Sequence, residues 1–344
     1  MVCCVKNTAS DSQFLYFCKF FKINRVKPLE NQFQRILEGK EPHNLYDPIR
    51  YILLQDGKRL RPQLVSLAVE MLGGDTEKAR PIAMAFEMLH NFTLIHDDIM
   101  DDAPLRRGKE TVYKKWNSNI AILSGDALAI MAFQQLLKLD CDKQTIIDIA
   151  EVFSATSLEI CEGQQYDLDF ETQPQVSIDD YIKMIRLKTA VMFAGCLKSG
   201  ALYMAADAKS TQALYDLGIN LGIAFQLEDD VLDVYADTPA FGKTIGGDIR
   251  DNKKTYLYLK ALELANESQH KLLVELFASP TLHFEQKFKI VKDIYDKLDV
   301  RGETESMIRL YSEKCLQNIA DVNTADENKE TFRQLVSKLM YRRK

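Results

Sequence analysis

Apolar residues recur at three- and four-residue spacing along nearly the whole chain, and no stretch alternates apolar with polar long enough to predict a strand. This pattern predicts helices over residues 29–37, 46–54, 82–95, 120–137, 146–169, 181–198 and 217–234. More amphipathic helices follow over 260–338, interrupted at Ser279-Pro280. Two of the apolar helices run into acid. Residues 82–95 contain neither Pro nor Gly and lead directly to Asp97-Asp98-Ile99-Met100-Asp101. At about 100° per residue, Asp97 and Asp101 share one face, and His90 and Thr93 lie within about 40° of it. The second case is Asp229-Asp230-Val231-Leu232-Asp233, on a stripe that also holds Gly218, Gly222 and Gln226.

A single acidic helix end is commonly just solvated, but the same Asp-Asp-x-x-Asp spacing twice argues for a shared task. Carboxylates crowded on one face repel, and some take up protons unless a cation compensates them. Oxygen-only ligands point to Mg2+, held by carboxylates together with substrate phosphates. Gly218 and Gly222 mark a place where a neighbouring backbone or a ligand comes close. A membrane-spanning Gly-x-x-x-Gly helix is excluded by Gln226 and the acids beyond it.

Composition narrows the class. With 15 Gly and 9 Pro in 344 residues, the economical reading is all-α: one large domain over 27–344, long enough to enclose a deep cavity between helices. Residues 1–26 read as a poorly determined extension. Its aromatic stretch, 14–21, is short and broken by Lys19, so no stable membrane insertion is expected. A net charge of −6, from 50 acids and 44 bases, disfavours nucleic acid as a partner. Seven Cys without paired spacing, and no secretory signal, suggest a reducing, cytoplasmic setting.

Basic residues cluster in loops beside the acids. Gly57-Lys58-Arg59-Leu60-Arg61-Pro62 puts three cations just ahead of a helix start, which makes an anion site or a solvated basic loop. Arg106-Arg107-Gly108 follows the first acidic motif, so that metals and guanidinium groups could grip one polyanion from two sides. Gln164 and Asp167 face one way on their helix, and Lys188-Thr189 puts a cation beside a hydroxyl. Gly242-Lys243, Gly247-Asp248-Ile249 and Asn252-Lys253-Lys254 read as a flap that brings positive charge to the second acidic motif. It is not a Walker loop, because the earlier glycine and a preceding strand are missing.

Taken in order over residues 46–259, the two acidic motifs and these clusters, with Gly163-Gln164 and Phe225-Gln226, resemble the trans-isoprenyl diphosphate synthases of the polyprenyl synthetase family. The resemblance implies the isoprenoid synthase fold, a single helical bundle around a deep central cavity, and a homodimer. It implies a prenyltransferase that condenses isopentenyl diphosphate with allylic diphosphates, using several Mg2+ ions held by Asp97, Asp101, Asp229 and Asp233. Asp97, Asp98, Asp101, Arg106, Lys188 and Lys243 then carry the catalysis. Lys58, Arg61 and Arg107, with Gly57 and His90 beside them, hold the isopentenyl diphosphate. Arg106, Lys188, Thr189 and Lys243 hold the allylic one, and Gln164, Gln226 and Lys253 complete the substrate-binding set. The resemblance also places Phe92 and Thr93 at the product-length determinant, where one aromatic without an insertion favours geranylgeranyl, with farnesyl or longer chains as the alternative. A terpene cyclase would lack the second Asp-Asp-x-x-Asp motif, and a non-catalytic subunit would have lost one. Arg342-Arg343-Lys344 either folds over the isopentenyl site or solubilises the terminus.

Overall fold

Several helix starts are set by short polar side chains. Asn117, Asp142, Ser177, Asp207 and Asp299 each accept a hydrogen bond from the backbone N–H three residues on, satisfying a donor the helix leaves open. Asp180 returns a bond to the backbone of Ser177, closing a capping box. The structure is a computed structural model that describes residues 29–236, 245–278 and 283–340. The 1–26 extension, Gly242-Lys243, Ser279-Pro280 and Arg342-Arg343-Lys344 lie outside the described residues.

In chain order the elements are α1 (Leu29–Leu37), α2 (His43–Leu53), α3 (Leu60–Met71), α4 (Arg80–Met100), β1 (Leu105–Arg106), β2 (Lys109–Glu110), α5 (Val112–Lys115), α6 (Ser118–Leu136) and α7 (Lys143–Thr172). Then come α8 (Ile178–Ile185), a π-helical turn (Arg186–Ala190), α9 (Val191–Tyr203), α10 (Ala208–Tyr235), α11 (Gly247–Arg250) and α12 (Tyr256–Leu264). The rest are α13 (Glu267–Ala278), α14 (Phe284–Lys297), α15 (Val300–Asp321) and α16 (Asp326–Met340). The fold is all-α.

Two features depart from the pattern-based expectation. The single helix predicted over 181–198 is α8, the π turn and α9, because one extra residue in a helix leaves the apolar spacing on either side intact. The hairpin was not predicted either. Its strands pair Leu105 with Glu110 and Arg106 with Lys109, too short to show alternation. Arg107 (φ 54°) and Gly108 (φ 75°) form its two-residue loop, and two positive φ angles are the mark of a type I′ turn.

The core forms two apolar clusters. One centres on α3, α4, α6, α7 and α9, the other on the C-terminal half of α10 with α12, α14 and α15; Tyr166 and Ile219 pack on both. The run Ile82–Leu89 of α4 is buried on every side and, Glu87 excepted, apolar, with Phe86 edge-to-face on Phe153 at 5.2 Å. At Gly218 and Gly222 the close neighbour is backbone, not ligand. A Cβ on either would lie 2.3 or 2.4 Å from the Cα of Ala194 or Ala190. Helix α10 is thereby seated directly on α9 and the π turn.

Candidate active site

The acids at the end of α4 divide by face. Asp98 is 1% exposed and accepts from Nε of Arg106 at 2.7 Å. Asp97 stands toward Lys188, Asp101 and Asp167; burial raises its pKa, with Lys188 opposing and Asp101 adding to the rise. At the end of α10 the inner acid is Asp230, 3% exposed, which accepts from the Tyr181 hydroxyl at 2.5 Å and from Nε2 of Gln226 at 3.2 Å. One carboxylate oxygen of Asp233 accepts from the backbone N–H of Asp248 at 3.0 Å. Burial, then Asp233 and Asp230, push Asp248 well above the usual carboxylate range.

Lys253 joins the two acidic ends. Burial alone would lower its pKa, but Asp101, Asp167 and Asp248 override that and raise it. Since Asp101 belongs to the first motif and Asp248 neighbours the second, Lys253 lies within electrostatic reach of both ends. Lys188, lifted by the π turn, reaches Asp167 of α7 at 2.5 Å, and the Thr189 hydroxyl donates to Gln226 at 3.1 Å. The approach of α7 is close, since a Cβ on Gly163 would lie 2.3 Å from the backbone N of Lys188. Gln164 is buried beside Met100, with its Oε1 unpartnered.

A second, predominantly cationic pocket lies between the start of α3, α4 and the hairpin tip. Arg59 is consumed by structure, with Nη1 at 2.6 Å from buried Glu87 and Nη2 on the carbonyls of Leu53 and Gln55. Arg61 instead lies over the Phe193 ring at 5.1 Å, with its Nε buried and without a hydrogen-bond partner. The guanidinium of Arg107 fills the space that a Cβ on Gly57 would take, and its Nη1 is likewise buried and unpartnered. Burial, then Arg61, Arg107, Arg106 and Arg59, hold His90 well below the ordinary histidine range. Glu87 is spent on Arg59, so the buried guanidinium nitrogens of Arg61 and Arg107, beside an imidazole held neutral, suit an anionic ligand.

A polyprenyl synthetase profile matches residues 42–298. The chain belongs to the polyprenyl synthetase family. Geranylgeranyl diphosphate synthase of Methanosarcina mazei is 40% identical over 240 residues, covering 70% of this chain and 74% of that one. A crystal structure of a geranylgeranyl pyrophosphate synthase is 44% identical, with a TM-score of 0.83 over 98% of this chain and 100% of the other. The Corynebacterium glutamicum enzyme, crystallised with isoprenyl diphosphate and magnesium, is 25% identical. Its TM-score is 0.84, over 95% of this chain and 99% of its own.

This polyprenyl synthetase is a prenyltransferase, and its donor set suits a hard divalent ion. The acids offer oxygen alone, yet among the described residues no three His, Cys, Asp or Glu side chains lie close enough to hold a metal unaided. Of the residues singled out in the sequence, the structure brings Asp97, Asp101, Lys188 and Lys253 together, with Asp233 bound to the neighbouring Asp248. It sets Gly57, Arg61, His90 and Arg107 in the cationic pocket. Phe92 is half-buried against the first core cluster and edge-to-face on His96 at 4.8 Å. Glu87 and Tyr181 were missed. A lone glutamate inside the apolar run of α4 was the available signal, since a buried carboxylate needs a partner; nothing local marks Tyr181.

Proposed function

We propose that this synthetase is a Mg2+-dependent geranylgeranyl diphosphate synthase whose two diphosphates occupy the two regions just described. The observation that carries this reading is the pair of buried, unpartnered guanidinium nitrogens of Arg61 and Arg107. A cluster of arginines without carboxylates of either Asp-Asp-x-x-Asp motif suits the isopentenyl diphosphate, leaving the acid-and-lysine region for the allylic one. Lys58 and His90 belong with the first pocket, and Arg106, Lys188, Thr189, Gln226 and Lys253 with the second. Lys243 joins the second by resemblance.

Ionisation of the allylic C–O bond leaves a diphosphate anion and a delocalised carbocation. Held by Asp97, Asp101, Asp229 and Asp233, Mg2+ would neutralise charge on the leaving diphosphate. The chain's own cations add to this: Lys188 and Lys253 stand fixed among carboxylates, so they need little rearrangement when charge develops. Arg61 and Arg107 orient the isopentenyl group, whose double bond is the nucleophile and needs only positioning. His90, kept neutral, can donate one N–H to that diphosphate. The final proton can leave on the released diphosphate, so no separate base is required.

Relatives named for geranylgeranyl products support that length, and Phe92 as the cavity floor is the accompanying assignment. A homodimer in the cytoplasm belongs to the same reading. Helix α6 exposes Ile122, Leu123 and Ile130, and Leu137 just beyond it, with Leu123 60% and Ile130 63% accessible, and a second copy would cover them. This helix is also long and apolar enough to cross a membrane. Sedimentation of the purified protein, with and without lipid vesicles, distinguishes the two. The deciding assay is incubation with Mg2+, isopentenyl diphosphate and each allylic primer, with chromatography of the products. A C20 diphosphate is expected; cyclic hydrocarbons, or no product without a second protein, would overturn the reading.

A further inference from the structure

Helix α14 lies beyond every motif in which the sequence showed chemistry, yet it presses on the segment that delivers Lys253. Phe284 and Phe288 pack against Gly246, which has φ +80°; a Cβ there would sit 2.4 Å from the Phe288 ring. Beside them Lys287, 3% exposed, holds its ammonium 4.7 Å from the Phe277 ring centroid. That ammonium donates to the carbonyl of Ile249 at 2.5 Å and to Oδ1 of Asn252. A buried ammonium must find acceptors, and both of these belong to one turn. Ile249 lies in the four-residue α11, where its carbonyl accepts from the N–H of Asn252 only at 3.4 Å and has a lone pair left for the ammonium. Asn252 has φ 57°, a left-handed conformation asparagine tolerates.

The turn is connected to the acidic region by short bonds. The N–H of Lys253 donates to the carbonyl of Asp248 at 2.9 Å, and the N–H of Asp248 to Asp233 at 3.0 Å. We infer that Lys287 is a positioning residue for prenyl transfer, fixing the turn from Ile249 to Asn252 so that Lys253 enters the carboxylates facing the allylic diphosphate. This rests on the reading that the acid-and-lysine region takes that diphosphate. Lys287 touches no substrate and acts through Lys253.

The test is Lys287→Met, which keeps the apolar stem and removes the donor, compared with Lys287→Arg, which restores one. For Lys287→Met, an increase of about tenfold or more in allylic KM is expected, with isopentenyl KM unchanged and recovery in Lys287→Arg. Titration calorimetry with inorganic diphosphate and Mg2+ gives a readout apart from turnover, and Lys287→Met should bind more weakly. If it does not fold, Asn252→Gly removes one acceptor while permitting the positive φ, and should shift allylic KM in the same direction. Both KM values unchanged, or both rising together with a lower melting temperature, would overturn the inference. A wild-type protein that binds diphosphate but makes no prenyl product would instead count against the proposed function, leaving the calorimetric comparison to judge Lys287.

Discussion

Nε of Arg106 donates to Oδ1 of Asp98 at 2.7 Å, so the middle acid of the first motif turns inward. The second motif repeats this, with Tyr181 on Asp230 at 2.5 Å. Burial pushes Asp98 up to about 6 and Asp230 up to about 7. The inner acid of each motif braces a neighbouring element, and the first motif's outer acids, Asp97 and Asp101, are the proposed metal ligands. Asp97→Ala should therefore abolish turnover at a near-normal melting temperature. Asp98→Ala should cost about 1–3 kcal/mol of stability by stranding Arg106. Urea unfolding of both variants checks the contrast.

Turnover should depend wholly on a divalent ion, since the donors are carboxylates that repel one another without a cation. Chelation with EDTA should stop the reaction and added Mg2+ restore it. Undiminished activity in EDTA would end this idea.

The two diphosphates should be separable by mutation. Arg61→Ala removes a guanidinium from the cationic pocket and should raise isopentenyl KM about 10- to 100-fold, with little effect on allylic KM. Equal increases in both would show the partition to be wrong.

His90 should make stability acid-sensitive. Its pKa is depressed in the fold by burial and by Arg61, Arg107, Arg106 and Arg59. As pH falls below about 6.5, the unfolded chain takes the proton first, and stability is lost at up to about 1.4 kcal/mol per pH unit. Asp98 and Asp230, both raised, act in the opposite sense, destabilising the fold as pH rises above about 4. The comparison is therefore with a variant. His90→Gln should lose less stability than wild type between about pH 7 and about pH 5 in urea unfolding. Equal losses would mean that His90 titrates alike in both states.

Phe92→Ala should lengthen the product. The ring is fixed against His96, which in turn contacts the Ile122 carbonyl of α6 at 3.2 Å. Removing it opens the side of α4 facing α6. An unchanged product distribution by chromatography would release Phe92 from this role.

Helix existence was legible because apolar spacing survives burial on every side, as α4 and α10 show. The facing of Asp97 with Asp101 followed from the helical period alone. What stayed hidden were contacts made by distant elements: Glu87 with Arg59, Tyr181 with Asp230, and Lys287 with Asn252 lie 28, 49 and 35 residues apart. Local pattern carries no record of them. The hairpin escaped because its message is one glycine and a turn geometry, not a period.

The π turn, Arg186–Ala190, has a consequence for how such a chain tolerates length change. It amounts to one residue inserted into an otherwise continuous helix. Deleting one residue there would let α8 and α9 run on as regular helix with every apolar face still matched to its neighbours. Lys188 would then swing by about 100° away from Asp167. The molecule would keep its architecture and lose a cation from the acidic region, so scaffold and chemistry are separable at this one point in the chain.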